Sequence, residues 1–278
     1  MGRGRTTTYL TQVFDTAEGT VSRAPANLAV EEPLEIRLDD HLVATTMRTP
    51  GHDFDLAVGW CHAEGLLADA AVDTVRYCAT GSAVDTKFNV VSVSTGGRAP
   101  EPVARLGSIS SSCGLCGSTA IDDLVDRIAP LASPTAFSSQ VLAAVPDRVR
   151  DDQDLFSDTG AVHCAAAFDT DGHSVLVRED IGRHNAVDKI VGRLVLEGTV
   201  PANGLGLAVS GRASFEIVQK AWAAGFSTVV AVSAPSALAV EVARRAGITL
   251  AGFARGGTLR LYAGSARRRE RRMRRFAR

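Results

Sequence analysis

The sequence predicts an α/β protein with a smaller β-rich subdomain toward its N-terminus. Beyond residue 160, short segments that are apolar throughout alternate with amphipathic stretches. This alternation is typical of a parallel or mixed sheet that helices cover on both faces. Before residue 107, strand-like segments predominate and only one helical pattern interrupts them. A chain of 278 residues is long enough for both parts.

The first 106 residues are predicted to hold a flexible arm over residues 1–30 and a β-rich subdomain over residues 31–106. The arm shows no period and offers one short strand at most. The helix of the subdomain has apolar residues at helical spacing and ends near Gly65. Its predicted strands are residues 34–38, 42–47, 72–78 and 87–93.

The rest of the chain is predicted to hold a Cys-x-x-Cys loop with a following helix over residues 107–134, and an α/β domain over residues 135–264. We expect Pro146 to interrupt the helical pattern of residues 138–157. The predicted strands of the domain are residues 161–168, 174–178, 205–209, 228–232, 249–253 and 258–262. Its later helices are predicted near residues 187–195, 215–224 and 238–246.

Composition restricts the location and partners of the protein. Five cysteines are an odd and sparse set, which fits a reducing cytoplasm and not a disulfide framework. No apolar stretch has the length of a signal peptide core or a membrane span, so we expect a cytoplasmic protein without a membrane partner. The Arg-rich tail, residues 265–278, could bind nucleic acid or an acidic partner. It contains one aromatic residue, and we favour a solvated end without nucleic acid.

The candidate catalytic residues are Cys113 and Cys116, in a loop rich in serine and glycine just before an amphipathic stretch. Two thiols at this spacing pass electrons as a disulfide, hold a metal or carry sulfur as a persulfide, and each use requires a thiolate. A helix N-terminus lowers a thiol pKa, although Asp122 and Asp123 oppose this effect. A redox pair would be expected directly after a strand, which is not the pattern here.

A zinc site is a weaker interpretation of the same residues. His62 and Glu64, taken with the cysteine pair, have the residue types of a zinc deaminase. The proline expected before the first cysteine is replaced by Ser112, and His62 lies on a stretch whose apolar pattern suggests core packing. We therefore expect no metal.

Three loops follow predicted strands and carry groups suited to an anion: residues 210–214, 233–236 and 253–258. Ligands of α/β sheets collect beyond the carboxyl ends of strands. Arg212 and Arg255 could each bind a phosphate or carboxylate through a planar pair of donors. Each loop alone fits a helix cap or a hairpin turn, but together they predict a pocket for a phosphate-bearing ligand.

A second dense motif spans residues 179–189, at a strand-to-helix junction. His184 fits a ligand contact and a helix-capping role equally well. His163, at the head of another strand, is expected to have a structural role in the core. We expect Cys61, Cys78 and Cys164 to be buried as small apolar residues.

Five motifs in a fixed order resemble the FdhD/NarQ family of formate dehydrogenase accessory sulfurtransferases. The resemblance extends from about Glu31 to Tyr262. The chain departs from the family pattern at Cys61-His62 and in the Arg-rich tail. The motifs are residues 113–117 (CGLCG), 179–189 (EDIGRHNAVDK), 210–216 (SGRASFE), 233–236 (SAPS) and 252–255 (GFAR).

This resemblance implies a sulfur carrier. A cysteine desulfurase would load a persulfide on Cys113, and the sulfur would pass to the molybdenum of a bis-molybdopterin guanine dinucleotide cofactor for formate dehydrogenase. Cys116 would assist or resolve the persulfide. The resemblance also implies a cytidine-deaminase-like C-terminal domain without zinc, and a homodimer. A chaperone that shelters the cofactor without transferring sulfur remains an alternative. The expected cofactor contacts are Arg183, His184, Ser210, Arg212, Ser233, Phe253, Ala254, Arg255, Gly256, Gly257 and Thr258.

Overall fold

The computed structural model describes residues 4–78, 82–102, 129–132 and 134–267, which hold twelve strands and six helices. The strands are β1 (Thr6–Asp15), β2 (Thr20–Ala29), β3 (Glu32–Leu38), β4 (His41–Arg48), β5 (Thr74–Tyr77), β6 (Val90–Ser94), β7 (His163–Phe168), β8 (Ser174–Asp180), β9 (Gly206–Val209), β10 (Thr228–Ala231), β11 (Thr249–Arg255) and β12 (Thr258–Ala263). The helices are α1 (Asp53–Ala63), α2 (Ser139–Arg150), α3 (Asp154–Thr159), α4 (Arg183–Leu196), α5 (Phe215–Ala223) and α6 (Ala237–Ala246).

The larger sheet has six strands in the order β12-β11-β10-β9-β7-β8. Strands β9, β10 and β11 run parallel, whereas β12, β7 and β8 are antiparallel to their neighbours. One apolar core joins this sheet to α4, α5 and α6, and a second joins its other face to α2. Every residue of β9 and β10 is buried, which explains why these strands are apolar throughout. The predicted mixed sheet is confirmed.

The smaller sheet has four strands in the order β4-β3-β6-β5. Leu34, Ile36 and Leu38 alternate along β3 and are fully buried in a core shared with α1. The turn from β3 to β4 places Asp39 and Asp40 at φ 42° and 68°, a left-handed geometry that suits a tight hairpin. These strands lie within the predicted β-rich region.

Helices α1 and α4 join the two sheets at a crossing that depends on two glycines. A Cβ atom on Gly59 would lie 1.8 Å from the carbonyl oxygen of Asp188, and one on Gly192 would lie 1.8 Å from the carbonyl oxygen of Asp55. Neither position has room for a side chain, so the two backbones touch. Helix α1 is therefore buried against α4 as well as against the smaller sheet.

The structure differs from the prediction for residues 1–30. In place of an arm with one short strand, β1 and β2 form an antiparallel hairpin of ten residues on each strand. Most of its side chains are exposed on both faces, including Leu10 and Phe14. Because neither face is buried against the core, the sequence shows no alternation from which the hairpin could be predicted.

Pro146 does not break the helix as predicted. It lies inside α2, which runs without interruption from Ser139 to Arg150 and is capped when Ser138 Oγ accepts a hydrogen bond from the Val141 amide at 3.1 Å. The proline removes one helical hydrogen bond, but Leu142 and Val145 remain fully buried against the sheet and hold the helix in place. None of the described helices has both the length and the apolar character to cross a bilayer.

Candidate functional site

A cavity of about 460 Å³ opens at the carboxyl ends of the parallel strands. Ser210 follows β9, Val232 follows β10, and Ala254 and Arg255 end β11; all four line the cavity. The loops are also joined directly, since the Ser233 amide donates to Gly211 O at 3.3 Å and the Phe253 amide donates to Ser233 O at 3.2 Å. The structure thus brings the three predicted loops together, while a role for their residues in binding remains a prediction.

His163 forms part of the cavity wall, which differs from the structural role expected for it. Its Nδ1 lies 3.5 Å from Ser210 Oγ, which accepts a hydrogen bond from the Cys164 amide at 2.9 Å. Burial, with the positive charge of Arg183 as a further cause, lowers the pKa of His163 below its usual value. The imidazole is therefore neutral at neutral pH and available as a hydrogen-bonding group in the cavity.

The opposite wall comes from α2 and α3 and was missed by the sequence reasoning. It contains Asp147 and Arg150 of α2 and Phe156 of α3. The guanidinium of Arg150 lies 4.3 Å from the centre of the Phe156 ring, in a cation–π contact. Asp147 Oδ2 accepts a hydrogen bond from the Gly256 amide at 3.1 Å, which ties this wall to the β11–β12 turn.

Glu179 explains how Phe156 reaches the cavity. Its carboxylate accepts hydrogen bonds from the amides of Leu155 and Phe156 at 2.9 and 2.8 Å, and so caps the start of α3. Glu179 itself is buried at the end of β8. In sequence this residue looked like part of a reactive motif, yet its carboxylate is used to fix a wall of the cavity.

Residues 253–258 divide into two groups. Ala254 and Arg255 line the cavity, as described above, whereas Phe253, Gly256, Gly257 and Thr258 do not. Gly256 and Gly257 have φ of 56° and 73°, the left-handed geometry of a two-residue hairpin turn. Thr258 Oγ1 donates to Arg255 O at 3.0 Å and closes that turn. Phe253 stacks with Arg260, whose guanidinium lies 5.0 Å from the ring centre.

Most of the motif at residues 179–189 is structural. Asp180 is fully buried and accepts hydrogen bonds from the amides of Gly182 and Thr49, at 2.8 and 3.1 Å. It also accepts from Asn185 Nδ2 at 3.0 Å and forms an ion pair with Lys189 Nζ at 2.7 Å. This single carboxylate therefore fixes the start of α4 and attaches it to the segment after β4.

Arg183 and His184 are the members of the motif that face the cavity loops. His184 Nε2 lies 2.8 Å from Glu216 Oε2 and 3.2 Å from Ser214 Oγ, at the start of α5. Arg183 Nε is buried and has no hydrogen-bond partner among the described residues. A Cβ on Gly211 would lie 3.8 Å from Arg183 Cδ, so this side chain lies directly beside the first cavity loop. Arg212 is exposed.

Two of the three cysteines in the described part of the chain, Cys61 and Cys164, are not candidates for sulfur chemistry. Cys61 and Cys164 are buried, as predicted, whereas Cys78 is partly exposed. Burial raises the pKa of Cys164 to about 12 and also raises that of Cys61. Neither thiol supplies a thiolate at neutral pH. The zinc interpretation is weakened too, because His62 Nε2 lies 3.0 Å from the carbonyl oxygen of Ala223 and is occupied there.

Cys113 and Cys116 lie outside the described residues, as does the predicted helix that follows them. The chain resumes at Ala129, whose carbonyl accepts a hydrogen bond from Trp222 Nε1 at 2.9 Å. Leu131 then donates to Ala246 O at 3.0 Å, at the end of α6. Trp222 and Ala246 lie at the ends of α5 and α6, a few residues before β10 and β11. These anchors are therefore near the amino ends of the parallel strands, whereas the cavity is at their carboxyl ends.

The fold and the cavity define a class of α/β protein with an open, arginine-lined ligand site beyond the carboxyl ends of its parallel strands. Comparison with known families then gives a specific assignment. A model of the FdhD/NarQ family matches residues 29–269, and the chain belongs to this family.

Curated relatives match over nearly the full chain. A protein of Streptomyces coelicolor named "Sulfur carrier protein FdhD" is 47% identical over 265 residues, covering 92% of this chain and 94% of the relative. One of the same name from Mycobacterium tuberculosis is 45% identical over 259 residues, covering 88% and 92%. A crystal structure of a putative formate dehydrogenase accessory protein from Desulfotalea psychrophila aligns with a TM-score of 0.73 at 21% identity, covering 94% of this chain and 98% of that one. This last likeness concerns the fold.

Proposed function

We propose that the chain is a sulfur carrier that serves formate dehydrogenase, with Cys113 holding the sulfur as a persulfide. Family membership and the names of the curated relatives support the carrier role. The observation that carries the proposal is the cavity, because a carrier of this kind has to hold a phosphate-bearing cargo while the sulfur is delivered. The assignment of the persulfide to Cys113 rests on its sequence motif alone.

The proposed cargo is a molybdenum cofactor of the bis-molybdopterin guanine dinucleotide type. At about 460 Å³ the cavity falls within the usual size of small-ligand sites and suits one nucleotide end of this cargo. Arg150 and Arg255 supply positive charge inside it, and Arg183 and Arg212 lie close enough to affect His163. Planar guanidinium groups suit a diphosphate better than ammonium groups do.

The sulfur steps follow from thiol chemistry. In loading, the Cys113 thiolate attacks the terminal sulfur of a persulfide on a cysteine desulfurase, the S–S bond breaks, and the desulfurase thiolate leaves. In delivery, the Cys116 thiolate attacks Cys113 Sγ and displaces the terminal sulfur as sulfide to the molybdenum. A disulfide between the two cysteines then remains, and a dithiol reductant of the cell returns it to thiols.

The partners and location follow from these steps. The sulfur donor is a cysteine desulfurase, the client is formate dehydrogenase, and the reducing cytoplasm preserves the thiols. We also propose a homodimer. The finer fold proposed for residues 135–264 is a cytidine-deaminase-like domain.

We also propose that the protein has no zinc chemistry, which the use of His62 in a structural contact supports. Metal analysis of the purified protein tests this point, and one zinc per chain would reject it.

Mass spectrometry of the intact protein tests the carrier function. After incubation with a cysteine desulfurase and cysteine, we expect the mass of one added sulfur, sensitive to a thiol reductant. Cys113→Ala should remove this addition, whereas Cys78→Ala, which changes a partly exposed thiol, should keep it. Sulfur added to Cys113→Ala at the level of the unchanged protein would overturn the assignment.

A cofactor-sheltering chaperone is the second candidate, and one observation favours it. Described residues already supply two arginines, a serine and an aromatic ring to the cavity, so these ligand contacts need neither Cys113 nor Cys116. Such a chaperone would bind guanosine diphosphate, as a probe of the nucleotide end, but would take up no sulfur. Client maturation by Cys113→Ala at the normal level would favour this chaperone over the carrier.

A further inference from the structure

Gln153 is a buried polar residue of the cavity wall whose side-chain amide forms no hydrogen bond with any described residue. Its exposed fraction is only 6%. Buried amides are normally hydrogen-bonded, because an unpaired polar group inside a protein costs stability. A side chain that retains this cost in a cavity is a candidate for contact with a ligand.

The amide of Gln153 is open to the cavity. Some unpaired polar atoms of the structure, such as Thr228 Oγ1, are completely enclosed by protein. Neither the oxygen nor the nitrogen of the Gln153 amide is enclosed in this way. Because this side chain lines the cavity and is otherwise buried, the space beside its amide is cavity space.

The backbone on both sides of Gln153 is held in place. This residue lies between α2 and α3, where its N–H donates to Arg150 O at 3.3 Å and its carbonyl accepts from the Ser157 amide at 3.0 Å. Glu179 holds the first turn of α3 through the two hydrogen bonds described above. The position of the side chain is therefore set before a ligand binds, which reduces the entropy lost on binding.

A planar surface lies in the same wall of the cavity. Phe156 and Arg150 both line the cavity, and the Arg150 guanidinium lies over the Phe156 ring at 4.3 Å from its centre. Nucleobases stack on aromatic rings and on guanidinium planes, and every base has a face for this contact. The Phe156–Arg150 pair therefore suits a base of any type.

The carboxamide of Gln153 suits the edge of a base better than it suits a phosphate. It has an acceptor oxygen and a donor NH₂ group, so a ligand with a donor beside an acceptor satisfies both. Base edges have this pattern, and glutamine binds them through two hydrogen bonds. An ionised phosphate offers acceptors only and would leave the amide oxygen of Gln153 unpaired.

We propose that Gln153 and the Phe156–Arg150 pair form a nucleobase subsite of the cavity. The pair stacks with the guanine base of the cargo, while the Gln153 amide hydrogen-bonds to an edge of that base on which a donor lies beside an acceptor. Ser210 and Arg255, on the opposite wall, face the diphosphate. This inference rests on the nucleotide cargo of the proposed function, and it adds that the carrier selects a cargo with a base over one that ends in a phosphate.

Replacement of the unpaired amide tests the subsite. Gln153→Met keeps the approximate size of the side chain and removes both hydrogen-bonding groups, so guanosine diphosphate should bind about five- to tenfold more weakly in calorimetric titrations. Inorganic pyrophosphate should bind as it does to the unchanged protein, because it has no base. The thermal midpoint without ligand should be unchanged or higher, because the unpaired amide is gone.

Gln219→Met is the matched control. Gln219 is also buried, but it lies on α5 outside the cavity and its Nε2 donates to Ala63 O. Its replacement should lower the thermal midpoint and leave the affinity for guanosine diphosphate unchanged. The two variants thus separate a ligand contact from a structural contact, since affinity falls in one and stability falls in the other.

Phe156→Leu tests the stacking contact. Leucine keeps much of the apolar volume and removes the ring, so the affinity for guanosine diphosphate should fall about fivefold or more, while that for pyrophosphate stays the same. Phe54→Leu is the control, because Phe54 contacts Tyr77 at 4.8 Å between ring centres and does not line the cavity. Equal losses for both probes in Phe156→Leu would show that the ring acts only by placing Arg150, and would reject stacking.

The outcomes distinguish this subsite from the proposed function. Unchanged affinity of Gln153→Met for guanosine diphosphate, an equal loss for pyrophosphate, or a thermal midpoint lowered as in Gln219→Met would each overturn the subsite. The sulfur-carrier proposal would stand in all three cases if the unchanged protein binds guanosine diphosphate and takes up sulfur. An unchanged protein that binds neither probe would overturn both the cavity as the cargo site and the subsite within it, whereas sulfur on Cys113 would still report the carrier function.

Discussion

Arg255 offers the sharpest test of the cavity as a nucleotide site. It ends β11 and lines the cavity near Ser210, with an exposed side chain. A charge-assisted hydrogen bond contributes about 1.5–3 kcal/mol. Because solvent screens an exposed guanidinium, we expect the lower end of this range, which corresponds to about tenfold weaker binding for Arg255→Met. Methionine keeps the apolar stem and removes the charge.

Calorimetric titration with guanosine diphosphate at fixed ionic strength measures the effect. Arg193→Met is the control, since Arg193 lies on α4 in an ion pair with Glu197 at 2.7 Å and does not line the cavity. The control should bind like the unchanged protein. Equal losses in both variants would indicate a general charge effect, and unchanged affinity of Arg255→Met would refute the nucleotide site as described.

Three further predictions concern stability. Asp180→Ala leaves Lys189 buried without its carboxylate and should lower the free energy of unfolding by about 3–5 kcal/mol in denaturant titrations; a loss below about 1 kcal/mol would contradict the network. Gly192→Ala should cost at least about 2 kcal/mol because its Cβ meets backbone. Gly4→Ala is the control, because its Cβ would make only an ordinary contact with Thr6 O at 3.4 Å, and it should cost about 0.5 kcal/mol or less. Burial is the main cause that lowers the pKa of His52 to about 4, and the charge of Arg178 is the second. Because the folded protein disfavours the protonated imidazole, the stability contributed by neutral His52 is complete above pH 6.5 and is lost as the pH falls toward 4. In His52→Asn, whose asparagine tolerates the φ of 56° at this position, thermal melts should show a weaker dependence of stability on pH. Part of the dependence should remain, because the pKa values of His62 and His163 are lowered as well. An unchanged pH dependence would refute the role given to His52.

The convergence of the cavity loops could be predicted because it depends on local signals. Strands such as β9 and β10 are apolar throughout, which identifies them as buried and parallel, and the loops after them must then meet at one edge. The second wall could not be predicted in this way. Arg150 and Phe156 reach the cavity through the packing of α2 and α3 on the sheet, and in sequence they look like ordinary residues of short helices.

The motif at residues 179–189 shows the opposite error, in which the sequence suggests functional residues that have structural roles. Its density of charged and polar groups suggested chemistry, yet Glu179, Asp180 and Asn185 are used to cap α3 and to fix the start of α4. Buried polar groups have to be satisfied, and a junction between two subdomains uses many of them. Sequence alone does not separate such groups from ligand contacts such as those proposed for Arg183 and His184.

The proposed transfer requires the sulfur to reach a cavity at the carboxyl ends of the parallel strands, while the anchor at Ala129 lies near their amino ends. Strand β11 has seven residues, so the two ends of the strands are separated by roughly 23 Å at about 3.3 Å per residue. From Ala129 back to Cys116 the covalent chain spans at most roughly 43 Å, at about 3.3 Å per residue. This reach exceeds the separation of the two ends, so the covalent length of the chain from Ala129 permits the cysteine pair to reach the cavity of its own subunit. Shortening residues 117–128 should therefore abolish delivery to the client once the reach falls below that separation, while loading by the desulfurase, measured by intact mass, continues. Delivery that survives such shortening would require the cavity of a second subunit to receive the sulfur.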